Sequence, residues 1–136
     1  KNHETCQPIA EYLASRDGNP LIVEKFIEEA DRKDLRVFLI NKKIVAAMER
    51  EAPMGDVRAN TSTGGTGFEV ELSIEERDLA IRAASTFDIE ICGVDLIRSS
   101  KGPLILEINA NPGFRELERV TGIDIAKAII EYAVRS

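Results

Sequence analysis

The sequence predicts an α+β domain, a mainly antiparallel sheet with helices on one face. Three observations point there. β-type runs come in pairs around short turn-rich connectors, 35–40 with 44–49 and 91–97 with 104–108. Such pairs read as hairpins, and hairpins join antiparallel strands. The coarse order is α-β-β-β-loop-α-β-β-α, with strands grouped instead of alternating one-for-one with helices.

The bulk numbers bound the rest. A chain of 136 residues, 43% apolar and 31% charged, is large enough to bury a core as one domain, 1–136. No apolar run approaches a membrane span and no secretory pattern is present, so a cytoplasmic protein is expected. The formal charge is −6, from 24 acidic and 18 basic residues. Bulk electrostatics therefore do not attract nucleic acid, and a phosphate ligand needs local cations or metal. Cys6 and Cys92 lack a C-x-x-C partner and read as buried reduced thiols. His3 reads as solvated. Lys1 opens the sequence on residues that already look helical, so the chain is expected to be a fragment.

Residues 5–16 read as a helix, with Pro8 in its first turn, an Ile9–Tyr12–Leu13 stripe, and Asp17-Gly18-Asn19-Pro20 as its stop. Residues 21–27, LIVEKFI, read as a strand, and the charged 28–34 as a loop. The hairpin 35–49 turns at Asn41-Lys42-Lys43 and places Leu35, Val37 and Leu39 on one face, Arg36, Phe38 and Ile40 on the other. Residues 50–67 are polar and glycine-rich, a long loop carrying Arg50, Arg58 and Asn60 as anion-competent groups. Ser73 with Glu76 is a capping box. Its helix runs to about Phe87 and buries Leu79, Ala80, Ala83, Ala84 and Phe87. Residues 114–120 read as a short turn or helical hook. The last helix takes Thr121 as N-cap, has Asp124 in its first turn, and turns Ile125, Ile129, Tyr132 and Ala133 inward.

The hairpin 91–108 carries the chemistry. Glu107 and Asn109 share a strand face, ~7 Å apart. If Ile97 faces Ile105, Asp95 lies opposite Glu107 and Gly93 opposite Asn109. Opposed carboxylates repel. Two readings follow from the residues alone: solvated carboxylates on an exposed face, or an all-oxygen site for Mg2+ or Mn2+. No G-x-x-x-x-G-K-[ST] or G-x-G-x-x-G occurs, and one histidine near the start supports no nucleophile triad.

The segments LIVEKFIEEADRKDLRVFLI, VAAMEREAPMGDVRANTSTGG and GVDLIRSSKGPLILEINANPGFRELERVTGIDIAKAIIEY together resemble the C-terminal subdomain of the ATP-grasp domain of RimK-type glutamate ligases. The resemblance runs from Leu21 to the end. The D-x11-E-x-N spacing followed by N-P-G is its most specific part.

It implies that Asp95, Glu107 and Asn109 are metal ligands. It implies that the Lys25-Phe26-Ile27 backbone holds adenine, Asp34 serves the ribose side, Arg36 lines the site, and Arg58 and Asn60 sit at the phosphates, with Arg58 catalytic. Lys25 stands where the family commonly has Glu. Thr63 stands where it has an arginine before the double glycine, so one cation of the family's site is missing. The family's glycine-rich lid and its phosphate-holding lysines are not found upstream of Leu21. The fragment alone is therefore expected to be inactive.

The activity implied is ATP- and Mg2+-dependent ligation of glutamate to a carboxylate acceptor, a protein tail or coenzyme, through an acylphosphate. ATP, glutamate and the acceptor are the partners, with no nucleic acid and no membrane, and a homo-oligomer is admitted. A non-catalytic nucleotide-binding regulatory module is the alternative, and a structural domain with a solvated acidic hairpin a third reading.

Overall fold

The computed structural model describes residues 3–18, 20–54 and 66–135. Five strands, β1 (Lys33–Ile40), β2 (Lys43–Glu51), β3 (Thr66–Glu69), β4 (Ile91–Ser99) and β5 (Gly102–Asn109), form one sheet in the order β3-β2-β1-β4-β5. Every pairing is antiparallel, as the hairpins predict. Among the described residues four α-helices accompany it: α1 (His3–Asp17), α2 (Ile74–Thr86), α3 (Arg115–Thr121) and α4 (Ile125–Arg135).

The fold class stands, but the helices occupy both faces of the sheet instead of one. The period-two alternation of β1 explains this. Leu35, Val37 and Leu39 point one way and pack with Val94, Leu96, Ala80, Ala83 and Ala84 beneath α2. Phe38 and Ile40 point the other way, and meet Leu117 of α3 and Ile125, Ala128 and Ile129 of α4. A central strand apolar on both faces needs a cover on each. The α3/α4 cover packs on Phe38 and Ile40 of β1 and on Ala46 and Met48 of β2. Asp34 and Arg36 lie further along the same face, and there the sheet is left for a site.

Several boundaries moved. Residues 21–27 form no strand, since a strand needs a ladder partner and none is offered to them among the described residues. Part of the following stretch, Glu28–Ala30, is a 3-10 turn, closed by Asp31 at φ 48°. β1 starts at Lys33. Arg50 belongs to β2 and Thr66–Glu69 to β3, so the predicted loop is shorter at both ends. Pro8 falls inside α1, since that helix begins at His3.

α2 has the predicted capping box, Ser73 Oγ accepting from Glu76 N at 3.2 Å and Glu76 Oε2 from Ser73 N at 2.8 Å. Phe87, at its end, is exposed. Thr121 is not the N-cap of α4. Its hydroxyl donates to Leu117 O within α3, and Gly122 at φ 68° ends that helix. Asp124 takes the cap, its Oδ1 accepting from Lys127 N at 2.8 Å. Ala133 is exposed, and Ala128 packs inward in its place. Cys92 is a buried free thiol, whereas Cys6 is exposed on α1. Among the described residues no helix is long and apolar enough to cross a membrane.

Candidate nucleotide and metal site

One row of side chains crosses four strands, with Met48 beneath α3 and α4 and Arg36, Asp95 and Glu107 lining a cavity. Met48 of β2 pairs with Arg36 of β1, Arg36 with Asp95 of β4, and Asp95 with Glu107 of β5. The neighbouring register step sets Arg50 of β2 opposite Asp34 of β1. Gly93 faces Asn109.

The Asp95–Glu107 pairing arises differently from the expectation. Ile97 faces Leu104, not Ile105, and Leu96 faces Ile105. A bulge then intervenes, and Leu106 has no partner across the ladder. Continued without it, the register would set Leu106 opposite Asp95 and turn Glu107 to the α2 side beside Val94. A one-residue slip exchanges faces along a strand, and this bulge restores Glu107 and Asn109 to the site face.

The charges are tightly paired. Arg36 grips Asp95 with both arms of its fork: Nε donates to Oδ1 and NH2 to Oδ2, the latter at 2.7 Å. Arg50 donates from Nε to Asp34 Oδ1 and from NH2 to Asp34 Oδ2, each at 2.7 Å, and from NH2 to Asp95 Oδ2 at 2.8 Å. Arg50 is 3% exposed and Asp95 5%. Burial disfavours the charged Arg50, but the carboxylates of Asp34 and Asp95 outweigh it and raise its pKa above the ordinary arginine value. Burial also pushes the Asp34 carboxyl up, against the pull of Arg50.

Two guanidinium groups thus balance two carboxylates. Glu107 accepts no hydrogen bond from a described side chain, and Asn109 Oδ1 accepts only from Asn111 N, at 2.8 Å. A carboxylate has about four acceptor positions. Asp95 uses three of them on arginines, which leaves one.

These groups line a cavity of about 690 Å3. Lys25, Phe26 and Ile27 form one wall, and Leu104, Ile105 and Leu106 an apolar wall beside them. Asp34, Arg36, Arg50, Asp95, Glu107 and Asn109 supply its polar groups. The 3-10 turn behind the first wall is tied to the β4–β5 turn, since Glu29 Oε1 accepts from Ser100 N at 3.1 Å and from Ser100 Oγ at 3.0 Å. A larger space, about 1070 Å3, opens between α1 and residues 23–29, but the arginine–aspartate lattice is absent from its lining.

The structure therefore brings Lys25, Phe26, Ile27, Asp34, Arg36, Asp95, Glu107 and Asn109 to one cavity. Arg58 and Asn60, and Thr63 with them, lie outside the described residues. Among the described residues no three His, Cys, Asp or Glu side chains gather as a metal site. The candidate donor set is two carboxylates and an amide oxygen, hard oxygens suited to Mg2+. It fits a cation in one further respect, because Glu107 brings a negative charge that no described cation balances.

Sequence reasoning missed what Arg50 does. The sequence places it among loop residues open to anions, whereas in the fold it is buried near the end of β2. The one available signal was its period-two phase with Ala46 and Met48.

The RimK-like ATP-grasp domain matches residues 4–133. The chain belongs to that family. A probable alpha-L-glutamate ligase of Shewanella pealeana is 54% identical over 111 residues, 82% of this chain and 24% of that protein. Another, of Picosynechococcus, is 41% identical over 132 residues, 97% of this chain and 44% of that protein. A third, of Legionella pneumophila, is 44% identical over 131 residues, 96% of this chain and 43% of that protein. The chain thus spans less than half the length of these curated relatives.

Among solved structures, the ATP-grasp ligase PsnB complexed with minimal precursor, Mg and ADP aligns at TM-score 0.55 and 25% identity, over 74% of this chain and 33% of that one. The macrocyclase MdnB from Microcystis aeruginosa aligns at TM-score 0.63 and 14% identity, over 100% of this chain and 46% of that one. At that identity the likeness concerns the fold. The ATP-grasp assignment thus rests on the family match and the relatives, with the antiparallel sheet in agreement.

Proposed function

We propose that this chain forms part of an ATP- and Mg2+-dependent carboxylate–amine ligase that adds glutamate to a carboxylate acceptor. The observation that carries the reading is the meeting of Asp95, Glu107 and Asn109 at one cavity beside Lys25–Ile27. The glutamate ligase names of the relatives support the reaction class. The Mg and ADP bound to PsnB support the ligands.

In this reading Asp95, Glu107 and Asn109 hold Mg2+, which would neutralise phosphate charge. The backbone of Lys25-Phe26-Ile27 meets adenine, and the Leu104–Leu106 wall covers its other edge. Asp34 takes the ribose side and Arg36 lines the floor, while Arg58 and Asn60 serve the phosphates. An acceptor carboxylate oxygen attacks the γ-phosphorus and ADP leaves. The glutamate amine then attacks the acyl carbon, phosphate leaves, and the amine proton passes to solvent. Phosphoryl transfer of this kind depends mainly on positioning and charge neutralisation.

The test is calorimetric titration of the full-length protein with ADP at graded Mg2+. Nucleotide binding that strengthens with metal, and loses this dependence in Glu107→Ala, is expected. Metal-independent binding, or none, overturns the reading. Turnover with glutamate then separates a ligase from a regulatory module that binds nucleotide without catalysis.

A further inference from the structure

We propose that Arg50 is a positioning residue that couples the nucleotide side of the cavity to its cation side. The inference rests on the function proposed above and adds a role that the reading does not itself require.

Asp34 lies on β1 and Asp95 on the adjacent β4, and the proposed function sets the first toward the ribose and the second toward the metal. One guanidinium joins them. Its Nε and NH2 hold both oxygens of Asp34 at 2.7 Å, and the same NH2 reaches Asp95 Oδ2 at 2.8 Å. A planar fork can do this, whereas a lysine ammonium is a point charge and cannot hold both groups in fixed orientation. Arg50 is enclosed, at 3% exposure, and its charge is already matched by two carboxylates. It is therefore not placed to swing out to a phosphate. It is placed to transmit displacement.

Arg36 differs, because its recorded side-chain bonds run to Asp95 alone. If a ribose hydroxyl bonds to Asp34, the carboxylate shifts its load on Arg50, and Arg50 shifts its load on Asp95 Oδ2. Asp95 has about one acceptor position left. Its readiness to accept a cation then depends on how hard Arg50 holds it. Coupling of this kind is reciprocal by thermodynamic necessity.

The experiment separates this path from direct metal–phosphate contact by using probes that cannot touch each other. Mn2+ binding to the full-length protein is measured by electron paramagnetic resonance without nucleotide, in the parent, Asp34→Asn, Arg50→Met and the double variant. Adenosine, which carries no phosphate, is titrated against the parent and Asp95→Asn.

Asp34→Asn is expected to change Mn2+ affinity roughly tenfold or more, the scale typical of groups that orient a metal ligand. That effect should vanish once Arg50 is Met. Asp95→Asn should correspondingly change adenosine affinity. Arg50→Lys, which keeps the charge and most of the volume, covers the case in which Arg50→Met does not fold, and should lose most of the coupling. Unchanged Mn2+ affinity in folded Asp34→Asn, or the same change in both backgrounds, overturns the proposal. A parent that binds neither probe overturns the proposed function instead, and the coupling with it.

Discussion

Gly93 of β4 lies against Pro112 of the Asn-Pro-Gly turn so closely that no side chain fits between them. A Cβ built on Gly93 would stand 2.8 Å from Pro112 Cβ and 3.3 Å from Arg36 Cδ. Gly93 also pairs with Asn109. The absent side chain thus lets the turn after β5 fold back over the strand that carries Asp95.

Gly93→Ala should therefore push Pro112 away and move Asn109 with it. Overpacking of this kind costs about 1–3 kcal/mol. Urea denaturation should show the loss, and ADP affinity in the presence of Mg2+ should fall further than the stability change alone explains.

Asp95→Asn removes the charge shared by Arg36 and Arg50. Both are buried, and Arg36 keeps no other recorded carboxylate partner. Breaking one side of a buried ion pair costs about 3–5 kcal/mol. The expected readout is a lower denaturation midpoint with an unchanged m-value. A neutral effect would mean that water reaches the guanidinium groups.

Glu76 should contribute acid lability. Burial opposes its charge, but hydrogen bonds from Arg98 and from Ser73 N outweigh it and hold its pKa below the ordinary 4.5. Arg98 Nε donates to its Oε1 at 2.7 Å. A carboxylate depressed on folding stabilises above the unfolded value, and that contribution is lost as pH falls through the folded one. Glu76→Gln should thus be less stable than the parent at neutral pH. The gap should close as the pH drops below about 4.5, measured by thermal melts across that range.

Ser73→Ala should cost about 0.5–2 kcal/mol, since it removes the acceptor for Glu76 N and frees one end of the capping box. The loss should appear equally with and without nucleotide, because α2 covers the sheet face away from the cavity.

The sequence was most legible where local chemistry decides. The two hairpins and the Ser73 cap follow from alternation and turn residues, whereas the facing of Asp95 with Glu107 depends on the bulge at Leu106, which alternation alone does not reveal. Residues 21–27 read as a strand because LIVEKFI is apolar and β-branched, but composition cannot supply a pairing partner. Thr121 has the residue type of a cap, but Gly122 with its left-handed turn ends α3 there and ties Thr121 to that helix. β3 was hidden in a polar run, and four residues give too short an alternation to detect. Arg50 was illegible for a different reason. Its partners come from β1 and β4, and only the assembled sheet brings them within reach. The cavity assignment of Arg58 and Asn60 rests on resemblance to the family, and both lie outside the described residues.

The unpaired Leu106 also makes the alternative alignment of this hairpin unfavourable. A hairpin that zipped past it without the kink would thrust Glu107 and Asn109 among Val94 and Cys92, each 0% exposed. Burying two polar groups without partners in that dry layer is costly, which disfavours the shifted register. The residues that give the cavity its chemistry thereby also reject the wrong alignment of the strand that bears them.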